Sequence, residues 1–268
     1  MVWTIAGFDP TSGAGITADI KTITSLNCYG AACITALTVQ NTLAVRRFEP
    51  VSPTTVQETL QALVDDLPPT SIKIGMLACA EIVTVVADFL ASHPDCPVVL
   101  DPVLRSSSGT ELLDAAGILA LRDRLLPFAT VVTPNRSEAA ILTGLPIQDA
   151  EAMAIALRHL GATSAVVTGG DPFEQDAPEN ANDSQDVLAY AIRGMDFVET
   201  LSAPRLRSTS THGTGCAFST AIACALAQGQ NIPTAVTSAK AFVGRAIERA
   251  PGLGKGKGPM GLEYAGRD

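Results

Sequence analysis

The segment Thr211–Cys216, which reads Thr-His-Gly-Thr-Gly-Cys and precedes a long apolar run, predicts an anion site. Glycine and threonine at the start of a helix let several backbone N–H groups converge on one anion, and the helix dipole favours negative charge there. Cys216 falls in the first turn, where the same field would favour thiolate over thiol. An anion cradle beside a candidate base suits phosphoryl transfer, which depends on positioning and charge stabilisation. The segment alone leaves open a glycine-rich turn with an inert cysteine.

Short apolar runs alternate with helical patterns along the chain, and the runs are hydrophobic enough for parallel strands covered on both faces. The predicted strands are Val2–Ala6, Ala31–Thr38, Ser71–Ile74, Pro97–Leu100, Thr130–Thr133 and Ser164–Thr168. The predicted helices are Ala14–Leu26, Pro53–Leu67, Ala80–Ser92, Ala115–Leu125, Ser137–Thr143, Asp149–Leu160, Gly215–Ala227 and Pro233–Arg249. This alternation predicts an α/β fold with a doubly wound, mostly parallel sheet flanked by helices.

A small hairpin is predicted from the runs Asp186–Arg193 and Asp196–Leu201, which Gly194 and Met195 separate. The segment 171–186 before it carries six acidic residues and no basic one, which predicts a solvated, mobile loop that points away from phosphate or binds metal. Because neither a repeat nor a linker divides the chain, we expect one domain over residues 1–268.

Composition excludes several classes of function. The 268 residues carry a net charge of −9, which argues against a nucleic-acid or anionic-membrane partner. The six cysteines contain no C-x-x-C pair and lie mostly in apolar runs, as reduced thiols do, so a cytoplasmic protein is expected. Three scattered histidines are too few for a histidine metal site. No signal sequence is evident at the start, and no apolar run is long enough to span a bilayer.

Polar or glycine-rich residues follow each predicted strand of the parallel sheet. Ligands bind beyond the carboxyl ends of strands in such sheets, so these residues predict the rim of an active site. The segments concerned are Gly7–Gly15 with Asp19 one turn later, Val39–Asn41, Lys73–Met76, Asp101–Val103, Thr133–Glu138 and Thr168–Asp171.

In these segments the chain resembles the hydroxymethylpyrimidine and phosphomethylpyrimidine kinases of thiamine biosynthesis, which belong to the ribokinase-like superfamily. The resemblance runs through Ala6–Thr22, Val39–Thr42, Lys73–Leu77, Leu100–Val103, Thr133–Asn135 with Glu138, and Thr211–Cys216. Its most discriminating feature is Cys216, because ribokinase and many relatives have aspartate there. The resemblance implies ATP-dependent phosphorylation of 4-amino-5-hydroxymethyl-2-methylpyrimidine and then of its monophosphate. A pyridoxal kinase of the same fold and a non-catalytic pyrimidine sensor are the alternatives.

The resemblance also implies roles for individual residues. The backbone amides of Gly213, Thr214 and Gly215 would hold the transferring phosphate, and Cys216 would take the proton of the substrate hydroxyl. The implied pyrimidine pocket consists of Gly7, Asp19, Val39, Gln40 and Met76. An aminopyrimidine needs matched donors and acceptors, which a carboxylate and an amide supply, and methionine can pack on the ring. Asp19 as a cap or solvated helix residue and Met76 as ordinary core are the simpler interpretations.

For the nucleotide, the resemblance implies phosphate or ATP contacts at Asn135, Thr168, Thr211 and Lys240. It places Mg²⁺ near Asp101 and Glu138, and magnesium needs few protein carboxylates because it keeps several waters. The alternatives are a helix cap at Asn135 or Ser137 with Glu138 as an ordinary first-turn acid, and a solvated Lys240. By analogy with relatives, a homodimer is expected.

The chain departs from the family pattern at four positions. Thr168 stands where relatives often have lysine. If that lysine contacts phosphate in relatives, this protein must supply the contact from another residue or bind ATP less tightly. Asp171 stands where histidine is common. Lys255 and Lys257 replace histidines in a glycine-rich tail, 252–259, that is predicted to be flexible.

Overall fold

The computed structural model describes residues 1–93, 96–169 and 183–266. Nine strands occur in these residues and form one sheet in the order β3-β2-β1-β4-β5-β6-β7-β8-β9. The strands are β1 (Val2–Phe8), β2 (Gly30–Gln40), β3 (Val45–Pro50), β4 (Ser71–Ile74), β5 (Val98–Leu100), β6 (Val131–Val132), β7 (Ser164–Val167), β8 (Asp183–Ile192) and β9 (Met195–Pro204). Neighbours from β2 to β7 are parallel, whereas β3, β8 and β9 pair antiparallel at the two edges.

Helices cover both faces of this sheet, so the predicted doubly wound, mostly parallel architecture is confirmed. The helices are α1 (Gly15–Ser25), α2 (Pro53–Asp66), α3 (Ala80–Ser92), α4 (Ala115–Ala120), α5 (Arg136–Thr143), α6 (Ala150–His159), α7 (Thr214–Ala227), α8 (Ile232–Glu248) and α9 (Leu262–Ala265). A π-helical turn at Leu121–Leu125 and a 3₁₀ turn at Leu126–Phe128 extend α4.

Alternation along β1 shows why the sheet needs two layers of helices. Trp3 and Ile5 belong to the core under α2, α3 and α6, whereas Val2 belongs to the core under α1, α7 and α8. Successive strand side chains point to opposite faces, so an apolar strand of this kind is stable only when both faces are covered. None of the helices in the described residues is long and apolar enough to cross a membrane.

The edges of the sheet differ from the sequence prediction. Strand β3 was not predicted, because a short edge strand with charged residues carries little hydrophobic signal. The hairpin of β8 and β9 is confirmed, but β8 begins at Asp183, so the prediction of a loop up to residue 186 is wrong over its last four residues. Cross-strand hydrogen bonds to β9 hold residues 183–186 in the strand despite the acidic side chains among them. The rest of the acidic segment, including Asp171, lies outside the described residues.

Candidate active site

Two glycine-rich loops, Gly7–Gly15 after β1 and Thr211–Gly213 before α7, are pressed against each other. A side chain at Gly213 would place its Cβ 2.0 Å from the carbonyl oxygen of Gly13, and Gly213 has φ +79°. His212 Nε2 lies 2.8 Å from Asp9 Oδ2 across the same junction. The backbone approach requires glycine, and the contact between His212 and Asp9 fixes the register of the two loops.

Helices α1 and α7 begin at this junction and direct their N-termini toward Cys216. The N–H groups of Thr214, Gly215 and Cys216 lie in the first turn of α7, outside the helix's own hydrogen-bond ladder. The backbone N–H of Gly15, the first residue of α1, donates to the Cys216 sulfur. The predicted anion cradle therefore gathers amides and dipoles from two helices rather than one.

A fully buried ion pair lies beneath the cradle. Lys73 Nζ, at the end of β4, donates to Asp19 Oδ2 at 2.8 Å, and both side chains have 0% exposure. Thr4 and Thr220 also donate to the Asp19 carboxylate, at 2.5 and 2.8 Å. The resemblance implies that Asp19 belongs to the pyrimidine pocket, and the structure places its carboxylate, with 0% exposure, among these three donors.

Asp101 and Cys216 adjoin this pair. Ser219 Oγ donates to Asp101 Oδ2 at 3.3 Å, and the Cys216 thiol makes a hydrogen bond to the same carboxylate. Burial raises the pKa of Asp101 to about 6, although the charge of Lys73 opposes the rise. Burial alone would lower the pKa of Lys73, but the nearby charges of Asp19 and Asp101 raise it above its ordinary value.

Burial opposes the thiolate that the helix N-terminus is expected to favour at Cys216. Burial raises the pKa of the Cys216 thiol to about 12, and Asp101 and Asp19 add to the rise while Lys73 opposes it. Desolvation and two carboxylates thus outweigh the helix field. The half-buried thiol is a hydrogen-bond donor to Asp101 here.

The remaining predicted pocket residues lie around the end of β1. A Cβ at Gly7 would come 2.9 Å from Met76 Sδ, so these two residues are in contact. Gln40, at the end of β2, makes a side-chain hydrogen bond to Asp9. Val39 is 43% exposed on the strand next to a register shift between itself and Gln40. Gly7 thus contacts Met76, and Gln40 contacts Asp9, two residues after Gly7. We call the region around Gly7, Gln40 and Met76 the corner, and the exposed Val39 lies at its edge.

Asp9 organises the loop after β1. Its carboxylate accepts from the backbone N–H of Thr11 at 2.8 Å and of Ala14 at 2.9 Å, besides His212 and Gln40. Burial alone would raise the pKa of Asp9, but the hydrogen bonds from His212, Gln40 and Thr11 lower it to about 2. Asp9 is therefore an ionised, 3% exposed anchor that joins the pocket to the cradle.

Asn135 and Glu138 form a capping box at the start of α5. Asn135 Oδ1 accepts from the Glu138 N–H at 2.9 Å, and Glu138 Oε2 accepts from the Asn135 N–H at 3.0 Å. Glu138 Oε1 also accepts from the Leu104 N–H at 3.3 Å. The alternative of a helix cap at Asn135 is therefore confirmed. Among the described residues, no group of three acidic, histidine or cysteine side chains could hold a metal ion.

Two cationic side chains from other elements, Lys240 of α8 and Arg205 after β9, lie near the end of β7, where Thr168 replaces the lysine that the resemblance implies. Lys240 Nζ donates to Asp186 Oδ2 at 2.7 Å, and Asp186 Oδ1 accepts from the Gly169 N–H at 3.0 Å. Arg205 Nη2 donates to the Gly169 carbonyl at 3.2 Å. Thr168 pairs with Asn135 in an isolated β-bridge. Because Lys240 forms an ion pair with Asp186, it is not the solvated lysine of the alternative interpretation.

A cavity of about 560 Å³ opens between the segment before the cradle and the end of α8. Its walls are residues 206–210 on one side, and Ile247, Glu248, Ala250 and Gly252 on the other. Ser210, one of the lining residues, directly precedes Thr211 in the chain.

The tail 252–259 makes defined contacts, which the prediction of a flexible tail did not anticipate. The N–H of Lys255 donates to Thr42 Oγ1 at 3.2 Å, and Lys257 Nζ donates to the Ser107 carbonyl at 3.2 Å. His212 donates its own N–H to the Gly258 carbonyl at 3.1 Å. The tail thus connects the loops at residues 42 and 107 to the segment that carries the cradle.

Sequence reasoning assigned no role to Lys73, Asp9, His212 or Asp186. For Lys73 the sequence did contain a signal, because a charged residue inside the apolar run Ser71–Ile74 needs a partner when the strand is buried. Asp9 and His212 lie within quoted motifs, but their contact spans 203 residues and has no local signature.

Comparison with known proteins identifies the family of the chain. The family model described as phosphomethylpyrimidine kinase matches residues 9–261. The hydroxymethylpyrimidine/phosphomethylpyrimidine kinase of Haemophilus influenzae is 42% identical over 261 residues, which cover 96% of this chain and 94% of that protein. The thiamine biosynthesis bifunctional protein of Geobacter sulfurreducens is 41% identical over 100% of this chain, which spans only 53% of that longer protein.

Among solved structures, a pyridoxal kinase from Staphylococcus aureus in complex with AMP-PCP and pyridoxal is similar in fold. It superposes with a TM-score of 0.86 at 30% identity, covering 99% of this chain and 94% of that one.

We expect the buried pair to behave as a unit in unfolding experiments. Lys73→Met leaves the Asp19 carboxylate buried without its cation, so the free energy of unfolding should fall by about 3–5 kcal/mol. Asp19→Asn combined with Lys73→Met removes both charges and should cost less than Lys73→Met alone. Urea unfolding of the three proteins measures this, and a double variant less stable than Lys73→Met would contradict it.

Asp101 should also give stability a pH dependence of defined sign. Its pKa is raised on folding, so its contribution is complete below pH 4 and is lost as pH rises through about 6. The loss should amount to about 2–3 kcal/mol. The Asp101→Asn variant removes this titration, so its stability relative to the parent should rise between pH 4 and 6 in urea unfolding. A pH-independent difference would refute the assignment.

Proposed function

Because the chain belongs to the phosphomethylpyrimidine kinase family, we propose that it transfers the γ-phosphate of ATP to 4-amino-5-hydroxymethyl-2-methylpyrimidine and then to the resulting monophosphate. The observation that carries this proposal is the convergence of two helix N-termini on Cys216, beside a corner lined by Gly7, Gln40 and Met76. A phosphate on those amides and a ring in that corner would bring the donor and the acceptor oxygen together.

The acceptor ring fits the corner by its chemistry. Gln40 carries both an amide donor and an amide acceptor, which an aminopyrimidine edge requires. Gly7 leaves room over the ring because any side chain there would collide with Met76. Met76, which is 8% exposed, supplies an adaptable apolar wall.

The proton of the substrate hydroxyl has a path into the protein. In our proposal Cys216 Sγ accepts this proton as the oxygen attacks the γ-phosphorus, while the thiol proton passes to the Asp101 carboxylate. The thiol already donates to Asp101, and the pKa of Asp101 is raised by burial to about 6, so the carboxylate has an increased proton affinity. We therefore assign Asp101, which the sequence suggested as a metal ligand, to the proton path.

The triphosphate would extend from the cradle toward the cavity of about 560 Å³. Thr211 follows the cavity residue Ser210 in the chain and precedes the cradle. Lys240 and Arg205 supply positive charge near the end of β7 in a chain whose net charge is −9. Cations there would compensate for threonine at 168.

Mg²⁺ fits this site as an ion brought with the nucleotide. A carboxylate has about four acceptor positions. The Glu138 oxygens accept backbone N–H groups, so Glu138 is suited to hold a magnesium-bound water rather than the ion itself. When bound, the ion would neutralise charge on the phosphates.

A pyridoxal kinase is the second candidate, favoured by the TM-score of 0.86 to the Staphylococcus aureus enzyme. Cys216 does not separate the two activities, because a cysteine at this position also resembles some related pyridoxal kinases. The curated relative at 42% identity is named for the pyrimidine reaction, which is why we place that reaction first.

We also propose a cytoplasmic homodimer. Ile34, Leu37 and Val39 are 36%, 51% and 43% exposed along β2, which forms an apolar strip near the edge of the sheet. The partner we assign to this strip is a second copy of the chain, and sedimentation equilibrium of the purified protein tests it. The described cysteines are free thiols, as a reducing compartment requires.

The proposed reaction is tested by incubating the purified protein with Mg-ATP and either hydroxymethylpyrimidine or pyridoxal, and following products by mass. A pyrimidine monophosphate followed by a diphosphate is the expected result. Phosphorylated pyridoxal alone would move the protein to the second candidate. Binding of the pyrimidine with no phosphorylated product and no loss of ATP would support a non-catalytic sensor.

Replacing Cys216 should affect the two phosphorylations unequally. Cys216→Ala should lower kcat of the first step by about 10²–10⁴-fold, because a neutral hydroxyl must lose its proton. The second acceptor is already an anionic phosphate, so its rate should fall much less. Cys224→Ala, two turns further along α7, is the matched control and should spare both steps. Equal losses in both steps would argue against the role of Cys216 as a base.

Lys240 should act on the nucleotide rather than on the pyrimidine. Lys240→Met should raise KM for ATP by about 10-fold and leave KM for the pyrimidine within about 2-fold, because one charge-assisted contact to phosphate is lost. Lys21→Met, which removes a surface pair with Glu263, is the control. An equal rise in both KM values would indicate a general structural defect instead.

A further inference from the structure

The glycine at position 75 leaves room for the ammonium group of Lys73. A Cβ at Gly75 would lie 2.8 Å from Lys73 Nζ and 3.6 Å from its Cε, so the lysine side chain fills the space beside the glycine. The N–H of Gly75 donates to the Ile5 carbonyl at 2.9 Å, which keeps residue 75 in line with β4. Residues two apart in a strand point to the same face. Lys73 therefore extends along its strand, and its ammonium lies at the carboxyl edge of the sheet.

Asp101 lies beside this ammonium on the neighbouring strand. Ile74 pairs with Leu100 in the parallel register of β4 and β5. The N–H of Asp101 donates to the Ile74 carbonyl at 2.8 Å, so Asp101 follows the pair on the same level as Gly75. The Asp101 carboxylate and the Lys73 ammonium consequently share one part of the sheet edge.

One face of α7 lies over these charges. Cys216, Ser219 and Thr220 are spaced three and four residues apart, which places them on the same side of the helix. Ser219 Oγ donates to Asp101 Oδ2 at 3.3 Å, and Thr220 Oγ1 donates to Asp19 Oδ1 at 2.8 Å. The Cys216 side chain therefore faces the buried charges, and the two hydroxyl contacts fix the helix in that orientation.

Three buried charges act on the Cys216 thiol. Burial raises the pKa of Cys216, Lys73 lowers it, and the carboxylates of Asp101 and Asp19 raise it further. Of these three charges, only Lys73 favours a negative sulfur. Since water does not solvate a fully buried group, the stabilisation of negative charge there depends on the ammonium and on the helix N-termini.

We propose that Lys73 is a positioning residue that acts through Cys216: its ammonium, held beside Gly75, stabilises the negative charge that develops on the sulfur during the first phosphoryl transfer. The S–H bond breaks, Asp101 gains that proton, and the sulfur takes the proton of the acceptor hydroxyl, while Lys73 stays protonated. The kinetic part of the inference rests on the proposed function and deepens it. The effect of the ammonium on the thiol rests on the buried geometry alone.

The experiment measures the rate at which iodoacetamide alkylates Cys216 in the ligand-free protein, with the site located by mass spectrometry of the digested protein. Only the thiolate reacts, so Lys73→Met should slow alkylation by about 10-fold, which corresponds to one unit of pKa. Asp19→Asn combined with Lys73→Met also removes an opposing carboxylate, so this double variant should react about 3-fold more slowly than the parent. Thr4→Val is the matched control. It removes a donor to Asp19 without a change of charge, and the rate should stay within about 2-fold.

Loss of structure would change the rate in the opposite direction, because a loosened fold exposes the thiol and speeds alkylation. Circular dichroism and thermal unfolding establish that each variant is folded. If Lys73→Met does not fold, the double variant decides, because it leaves no carboxylate buried opposite a missing cation. An alkylation rate in the folded double variant that equals or exceeds the parent rate would overturn the inference and leave Lys73 with a structural role only.

The two phosphorylations give a second measurement on the same double variant. Its kcat for the first step should fall by about 10–100-fold, and its kcat for the second step should fall much less, because that acceptor is already anionic. KM for ATP should stay within about 3-fold of the parent value, since the amides of the cradle are unchanged. An unchanged kcat for the first step would overturn the inference. A parent protein that phosphorylates no pyrimidine contradicts the proposed function instead, and the alkylation rates then still test the effect of Lys73 on the thiol.

Discussion

The structure depends on the close contact between the loop after β1 and the segment before α7. Two glycine backbones meet there at a separation that a Cβ would not permit, and the Asp9–His212 pair lies across the contact. Without it, the N-termini of α1 and α7 would not point at one thiol. A catalytic constellation built from chain segments some 200 residues apart needs such a rigid junction, since catalysis is sensitive to displacements of about 1 Å.

Burial of charge is the second constraint. Asp19, Lys73 and Asp101 lie beneath the cradle with exposures of 0%, 0% and 5%. Buried ion pairs contribute little net stability, so their presence points to function. Lys73 holds a positive charge under a site that must receive anionic phosphate, and Asp19 keeps that lysine in place. The arrangement also explains why Cys216 does not behave as an isolated thiol at a helix end: its proton affinity is set by its neighbours as well as by the dipole.

Much of the fold and part of the site could be predicted from the sequence. The parallel strands were found because they are continuous apolar runs, whereas β3 was missed because its residues are charged. Cys216 and its glycines were found because an anion cradle is local in sequence. The sealed position of Asp19 and the contact of Asp9 with His212 could not be predicted, because they depend on partners 54 and 203 residues away. The capping box of Asn135 and Glu138 was recognised only as an alternative, since the same residues suit both a cap and a phosphate site.

The central claim is that the junction holds the pyrimidine ring and the phosphate donor against one thiol. A crystal structure with the aminopyrimidine and a non-hydrolysable ATP analogue tests this most directly. We expect the γ-phosphate on the amides of Thr214–Cys216 and the hydroxymethyl oxygen within about 3.5 Å of the Cys216 sulfur. A ring bound away from Gln40 and Met76, or a triphosphate that ends elsewhere than the first turn of α7, would contradict it.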